Sequence, residues 1–363
     1  MTQSGKTFLM MAGGTGGHIF PALAVAQSLQ QMGHKVVWLG STGSMEERLV
    51  PQYGIPLETV AMKGVRGKGL WRKLTLPWML LRSVQAAVNI IRRHKIDAVI
   101  GFGGFVTFPG GMAAKAVGIP IIIHEQNAVA GMANRRLAKW AARVLYAFPK
   151  AFEQYPNGLV GNPVRADIAQ LPKPEERFAG RSGPLRIFII GIVGGSLGAQ
   201  ALNETVPQAM ARIPEEARPR ITHQSGRGHL ANLQAAYQAA GVSAECVEFV
   251  DDMAAVYRDA DVLICRAGAL TIAELAAAGV GALLVPFPLA VDDHQTANAR
   301  YLVGAQAGLL LPQNQLNADN LAQILGSLTR EQCREWAVNA RTLAMPDSAA
   351  RVAEIAVRTV GGA

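Results

Sequence analysis

The sequence predicts an α/β protein built from two Rossmann-like halves, each a parallel sheet covered by helices. Three observations predict it. Short apolar runs alternate with helical stretches, the pattern of a parallel sheet with helices on both faces. A strand, a glycine-dense turn and a helix open each half, as "MMAGGTGGHIFPALAVA" at 10–26 and "LRIFIIGIVGGSLGAQALNETV" at 185–206. Between them, at 160–184, "VGNPVRADIAQLPKPEERFAGRSGP" breaks the alternation with Pro163, Pro172, Pro174 and Pro184. A chain of 363 residues also suits two cores better than one.

The elements follow in order. Strands are predicted over Thr7–Ala12, Lys35–Gly40, Asp97–Gly101, Pro120–His124 and Arg143–Ala147 in the first half. A helix is predicted over Phe20–Met32, closed by Gly33. The second half predicts strands at Arg220–Gln224, Cys246–Val250, Asp261–Cys265 and Ala282–Pro286, besides the one that opens it. Two such domains leave ligand sites at the carboxyl ends of their strands, in a cleft between them.

Composition excludes several classes. Half the residues are hydrophobic and 17% are charged, as in a well-buried globular chain. The three cysteines, Cys246, Cys265 and Cys333, are scattered, with no Cys-x-x-Cys and no His-Glu-x-x-His, so neither a disulfide frame nor a zinc site is expected. No signal peptide is expected, and no apolar run reaches the roughly 18 residues of a spanning helix. A cytoplasmic protein is expected. The net charge is +9, and no acidic residue lies between Glu58 and Asp97. That stretch holds basic residues from Lys63 to Lys95, and "GKGLWRKLTLPWMLLRS" at 67–83 mixes them with Trp71, Trp78, Met79, Leu80 and Leu81. Tryptophan, leucine and cations together suit an anionic membrane surface. The bland reading is a buried helix with a basic rim. A nucleic-acid groove would be less apolar.

The glycine turns suggest anion sites, since glycine admits close backbone approach and a helix start offers free N–H groups. Neither standard fingerprint fits the first turn. Gly-x-Gly-x-x-Gly read from Gly14 reaches Ile19, and a P-loop read from Gly13 reaches His18. "GFGGFVTFPGG" at 101–111 offers a further glycine loop, or merely close helix packing. "HEQNAVAG" at 124–131 sets His124, Glu125, Gln126 and Asn127 at a strand end. In "CRAGALTIAELAAAG" at 265–279, Thr271 and Glu274 are spaced as a capping box at a helix start. The other reading gives that start to a diphosphate and Glu274 to a ribose diol. "DDHQTANA" at 292–299 adds polar side chains after another strand.

In order, "AGGTGGH", "GFGGFVTFPGG", "HEQN", "GNPVR", "GGSLGA", "RAGALTIAE" and "DDHQTANA" resemble the MurG family across essentially the whole chain. These are the bacterial UDP-N-acetylglucosamine transferases of glycosyltransferase family 28 that complete the lipid-linked peptidoglycan precursor. The resemblance implies the GT-B architecture, two Rossmann-like parallel-sheet domains facing each other across a cleft. Residues 1–163, joined by a C-terminal helix at 343–363, would form the acceptor and membrane domain, and 164–342 the donor domain. It implies an inverting hexosyltransferase moving GlcNAc from UDP-GlcNAc to the MurNAc 4-hydroxyl of undecaprenyl-pyrophosphoryl-MurNAc-pentapeptide (lipid I), giving lipid II and UDP. Substrate contacts are implied for Thr15, Gly16, Gly17, Asn127, Arg165, Ser196, Val250, Ala269, Leu270, Thr271, Ile272, Ala273, Glu274 and Gln295.

In this reading the base that deprotonates the acceptor hydroxyl is His18, a side chain type that ordinarily titrates near neutrality. Glu125 is the alternative. The N-terminal glycine loops would face the acceptor's pyrophosphate. Helix dipoles and Arg165 would stabilise the leaving UDP. With helix dipoles and Arg165 in that role, no bound metal or other cofactor is expected, a divalent cation at most stimulating the reaction. Expected partners are UDP-GlcNAc, lipid I, the anionic membrane through residues 63–95, and cell-wall and division proteins, with no nucleic acid. The protein is expected on the cytoplasmic face of the cell membrane, peripherally bound. One departure from the family pattern is a strand before the second glycine loop about three residues too long, with an extra Gly191, which bears on the position of Ser196. Competing readings are a UDP-GlcNAc 2-epimerase-like cytosolic isomerase and a non-enzymatic nucleotide-sugar or phospholipid binder. A nicotinamide oxidoreductase is disfavoured by the failed fingerprint.

Overall fold

The structure is a computed structural model that describes residues 5–61, 70–191 and 197–361. The chain divides into two compact units, Met1–Pro163 with Asp347–Ala363, and Val164–Pro346.

The first unit holds six parallel strands: β1 (Thr7–Ala12), β2 (Lys35–Ser41), β3 (Leu57–Val60), β4 (Ala98–Gly103), β5 (Ile121–Glu125) and β6 (Arg143–Tyr146). Their order is β3-β2-β1-β4-β5-β6. The inner strands read as continuous apolar runs because both faces of the sheet are covered. Leu9, Met11, Val99 and Ile123 enter one core, while Phe8, Met10, Ile100 and Ile122 enter the other. The second core is closed by two helices, Gly16–Gln31 and Ser348–Gly361. Val352, Ala353 and Ala356 of the latter are fully buried there.

The second unit repeats the plan with β7 (Arg186–Ile190), β8 (Arg220–Gln224), β9 (Glu245–Val247), β10 (Val262–Cys265), β11 (Gly281–Leu284) and β12 (Gly308–Leu310), in the order β12-β11-β10-β7-β8-β9. Counted from its own first strand, this is the same 3-2-1-4-5-6 order. A small device recurs as well. Asp97, just before β4, accepts a hydrogen bond from the Thr7 amide at 2.8 Å, and Asp261, just before β10, accepts one from the Arg186 amide at 2.9 Å. Each aspartate thus satisfies the first N–H of its sheet's opening strand.

Several expectations change. The predicted strand Cys246–Val250 is β9, which ends at Val247 and leaves Val250 in a loop. The edge strands β3 and β12 escaped the sequence reading because "LETV" and "GLL" are short and weakly patterned. The first helix begins at Gly16, four residues before the predicted Phe20, with Thr15 extended as its N-cap despite two glycines in its opening turn. Ile190 ends β7 and Gly191 lies outside the strand. The rest of that longer segment, including Ser196, falls outside the described residues.

Candidate active site

In the first unit the chain leaves β1 and β4 in opposite senses, so the crevice beyond their carboxyl ends is the expected ligand address. Two glycine turns meet there. Gly104 has φ +85°, and a Cβ on it would press into the Gly13 carbonyl. Gly103 has φ +111°, and a Cβ there would sit 2.8 Å from the His18 ring. These two positions need glycine for both conformation and space. Thr107 ties the turn together. Its hydroxyl lies 2.7 Å from the Gly103 carbonyl and 3.1 Å from that of Met11, and it accepts from the Gly103 amide.

Glu46 is the residue that sequence reasoning missed here. Its carboxylate is fully buried and accepts from the Ser41 amide at 2.8 Å and the Gly14 amide at 3.3 Å. It therefore holds the first glycine turn against the end of β2. The available signal was an acidic residue in "STGSMEE" directly after a strand.

His18 is half-buried on the first turn of helix Gly16–Gln31. Its Nδ1 lies 2.8 Å from Oε1 of Gln126. Gln126 in turn places Nε2 3.0 Å from Nδ1 of His124 and 2.9 Å from the His124 carbonyl. The His124 ring stacks on Phe102, and its Nε2 lies 2.9 Å from the Gly161 carbonyl. Burial pushes the His124 imidazole down to about 4, so it is neutral near pH 7. Glu125, the alternative base, is buried, and its two oxygens accept from four donors. These are the Asn127 amide (3.0 Å), Asn127 Nδ2 (3.3 Å), the Gly131 amide (2.9 Å) and Asn134 Nδ2 (2.9 Å). That arrangement makes Glu125 the fastener of the 125–134 loop. Asn127 is held beside it, while Thr15, Gly16 and Gly17 lie along the rim, with Thr15 and Gly17 exposed.

In the second unit, helix Ala269–Ala278 starts just after β10 and ends at Gly279. The capping-box expectation is corrected. Gly268 is the N-cap, Thr271 already lies inside the helix, and no side chain caps this end. The amides of Ala269, Leu270 and Thr271 thus form the helix start, with Ile272 and Ala273 following. Glu274 turns instead to Tyr257, whose hydroxyl donates to its Oε2 at 2.9 Å, while Arg165 Nε lies 3.7 Å from its Oε1. Burial raises the Glu274 carboxyl, and Arg165 and the Tyr257 hydrogen bond oppose that rise. Arg165 is the exposed N-cap of the short helix Ala166–Ala169.

Arg266, also missed in the sequence, is almost fully buried. It donates to the Val285 carbonyl at 3.0 Å and the Pro286 carbonyl at 3.3 Å, and its guanidinium lies over the Phe287 ring. Oε1 of the buried Gln295 accepts from the Phe287 amide at 2.8 Å, and Asn298 donates to the Ala267 carbonyl at 3.1 Å. The "DDHQTANA" segment is thereby fastened to the turn after β10. Asp292 and Asp293, which open it, both adopt positive φ, 54° and 49°. Val250 is half-buried in the loop after β9. Among the described residues, no three His, Cys, Asp or Glu side chains gather in an arrangement that could hold a metal ion.

Helix Leu70–Arg93 carries the basic–apolar stretch. Trp78 and Leu81 are 61% and 59% exposed, and the Arg82 guanidinium lies 5.7 Å from the Trp78 ring. Lys63, Arg66 and Lys68, and the side chains of Trp71, Arg72, Lys73 and Leu76, lie outside the described residues. Among the described residues, no helix is long and apolar enough to cross a membrane.

Comparison with known proteins finds relatives that span both units. The family profile described as Glycosyltransferase family 28 N-terminal domain matches residues 8–146, and that of the family 28 C-terminal domain matches residues 189–356. The chain is 69% identical over 355 residues to a UDP-N-acetylglucosamine–N-acetylmuramyl-(pentapeptide) pyrophosphoryl-undecaprenol N-acetylglucosamine transferase of Neisseria gonorrhoeae, covering 98% of this chain and 99% of that one. A protein of the same description from Cupriavidus metallidurans is 53% identical over 360 residues, covering 99% of both. The crystal structure of Acinetobacter baumannii MurG superposes with a TM-score of 0.85 at 42% identity, covering 96% of this chain and 99% of that one. With both halves matched and relatives this similar end to end, the chain belongs to glycosyltransferase family 28, in its MurG branch.

Proposed function

We infer that this protein is the UDP-GlcNAc-dependent hexosyltransferase that converts lipid I to lipid II in peptidoglycan synthesis. The observation that carries this is end-to-end identity of 69% to relatives whose names state that reaction. The 2-epimerase alternative is not favoured.

The site chemistry supplies the roles we assign. Inversion is a single displacement with an oxocarbenium-like transition state, so a base must take the acceptor's 4-hydroxyl proton while UDP departs with the bond electrons. His18 is that base, supported by its half-exposed ring at the end of β1 and β4. Glu125, with both oxygens already accepting hydrogen bonds, shapes the loop that carries Asn127. Glu274 accepts from the ribose hydroxyls, and the buried Gln295 braces the neighbouring loop. The helix start at Ala269–Thr271, Arg165 and Ser196 hold the diphosphate and stabilise charge on the leaving UDP. Thr15, Gly16 and Gly17 contact substrate at the first turn, and the Val250 backbone reads the uracil edge. The reaction proceeds in this proposal without a resident metal.

The exposed Trp78–Leu81 face with its arginines docks on the anionic cytoplasmic leaflet that holds the polyprenyl acceptor, placing the protein peripherally on the inner face of the membrane. Recruitment by cell-wall and division proteins belongs to the same proposal.

The test is UDP release from UDP-GlcNAc by the purified protein, with and without a lipid I analogue bearing a short prenyl chain. Acceptor-dependent release with a disaccharide-lipid product is expected. Acceptor-independent conversion of UDP-GlcNAc to its 2-epimer would overturn the reading.

A further inference from the structure

His18 is the terminus of a chain of hydrogen bonds whose proton positions are dictated from the far end. A carbonyl oxygen only accepts, so the 2.9 Å contact with Gly161 requires a proton on His124 Nε2. His124 is completely buried and neutral, so that proton is its only one, and its Nδ1 carries a lone pair. Two acceptors therefore face the Gln126 amide group, His124 Nδ1 at 3.0 Å and the His124 carbonyl at 2.9 Å. An NH₂ has two hydrogens and satisfies both, whereas the opposite amide orientation would set an oxygen against two lone pairs. Gln126 is itself 1% exposed, and its own carbonyl accepts from Asn162 at 2.9 Å, so backbone and side chain are both held. Oε1 is thus turned to His18 and can only accept. Nδ1 of His18 must carry the proton, at 2.8 Å. A neutral His18 then has its lone pair on Nε2, for which no hydrogen-bond partner is found among the described residues. The ring lies close against Gly103, where a Cβ would stand 2.8 Å from it.

We propose that Gln126 is a positioning residue that transmits the fixed tautomer of His124 to His18, so that His18 presents an unprotonated Nε2 as the proton acceptor. The proposal rests on the reading of His18 as the base. When Nε2 takes the acceptor's hydroxyl proton, the ring becomes an imidazolium with Nδ1–H still donating to Oε1, whose dipole stabilises the new charge. No proton leaves along the chain, since the Gln126 amide neither gains nor loses a proton at neutral pH and the Gly161 carbonyl carries none. The arrangement resembles in logic the aspartate that orients the histidine of a serine protease, with a neutral amide in place of a carboxylate.

The decisive measurement is the ¹⁵N NMR signature of the His18 ring at alkaline pH in the intact protein, assigned by its loss in a His18→Asn variant. A protonated Nδ1 with a lone-pair Nε2 is expected. A proton on Nε2, or a mixture of tautomers, overturns the proposal, and this needs no other variant to fold. Gln126→Leu, which removes both the acceptor and the donors, is expected to move the His18 proton toward Nε2. It is also expected to lower kcat about 100-fold with the UDP-GlcNAc KM within about 2-fold, a general-base effect rather than a binding one. An unchanged tautomer in that variant also overturns the proposal. Near-normal kcat in His18→Ala would instead overturn the base reading, while leaving the wild-type tautomer as the structure dictates.

Discussion

Single residues in this protein divide sharply by what surrounds them. His124 and His223 are both fully buried, and burial lowers them to about 4 and about 3 from an ordinary 6.5. The unfolded chain therefore binds protons that the folded chain refuses. Their contribution is fully present above pH 6.5 and is lost as pH falls through the folded values, by about 3 kcal/mol for His124 over that range. Urea unfolding at a series of pH values between 7 and 4 should show stability falling with a slope of roughly two protons per molecule from these groups. Replacing His223 by asparagine, which still accepts from the Tyr237 hydroxyl now 2.9 Å from Nδ1, should reduce that slope by about one proton. Glu274 is a different case, buried yet addressed by Tyr257 and Arg165. Glu274→Ala should raise the UDP-GlcNAc KM about 10- to 100-fold, the worth of hydrogen bonds to a charged acceptor, and should change kcat less. Initial rates against donor concentration check this, and a loss confined to kcat would move Glu274 from binding to chemistry.

Elements carry the next layer. Helix Leu70–Arg93 buries Ala87, Val88, Ile90 and Ile91 in the first unit's core, yet leaves Trp78 and Leu81 to solvent. A helix that needed only to cover the sheet would not spend its large apolar side chains on the opposite side. Trp78→Ser combined with Leu81→Ser should weaken partitioning to anionic liposomes at least about 10-fold, since each side chain is worth roughly 1.5–3 kcal/mol on burial. UDP binding should be unaffected, because Trp78 and Leu81 belong to the first unit while the proposed uridine and diphosphate contacts, Val250, Arg165 and the helix with Glu274, belong to the second. Unchanged liposome binding in a sedimentation assay would remove this face from the membrane proposal. The helix at Ala269–Ala278 shows the reverse lesson. Its spacing of Thr271 and Glu274 satisfies a capping rule, yet the helix starts two residues earlier and spends Glu274 on Tyr257. A local signature is overridden when a longer-range partner offers a buried carboxylate a better hydrogen bond.

At the scale of the whole chain, two units with one strand order are each sealed by an aspartate beneath the opening strand. The C-terminus returns to the first unit, where Val352, Ala353 and Ala356 fill the core beside helix Gly16–Gln31. Truncation after Pro346 should therefore destabilise the first unit, by more than the about 1.5–3 kcal/mol that exposing Val352 alone would cost. Calorimetry should show one transition moved down in temperature. Activity should fall with it, since the same helix Gly16–Gln31 carries His18. A truncated chain with unchanged transitions and kcat would show the contact to be dispensable.

The sequence by itself determined the alternation of strand and helix, the two glycine-opened halves and the identity of the polar groups at the strand ends. Local periodicity and turn chemistry encode these directly, so β1 and β8 match the predicted spans residue for residue. Only the tertiary structure decided the partners. Glu46 meets the first glycine turn from 32 residues away, Gln126 meets His18 across 108, and Tyr257 meets Glu274 from another helix. Glu125 reads as a polar group at a strand end in one dimension, and in three its oxygens accept from four donors along the 125–134 loop. Such pairings depend on which loops the sheet order brings together, and that order follows from packing both faces of each sheet at once, which no single stretch of the chain records.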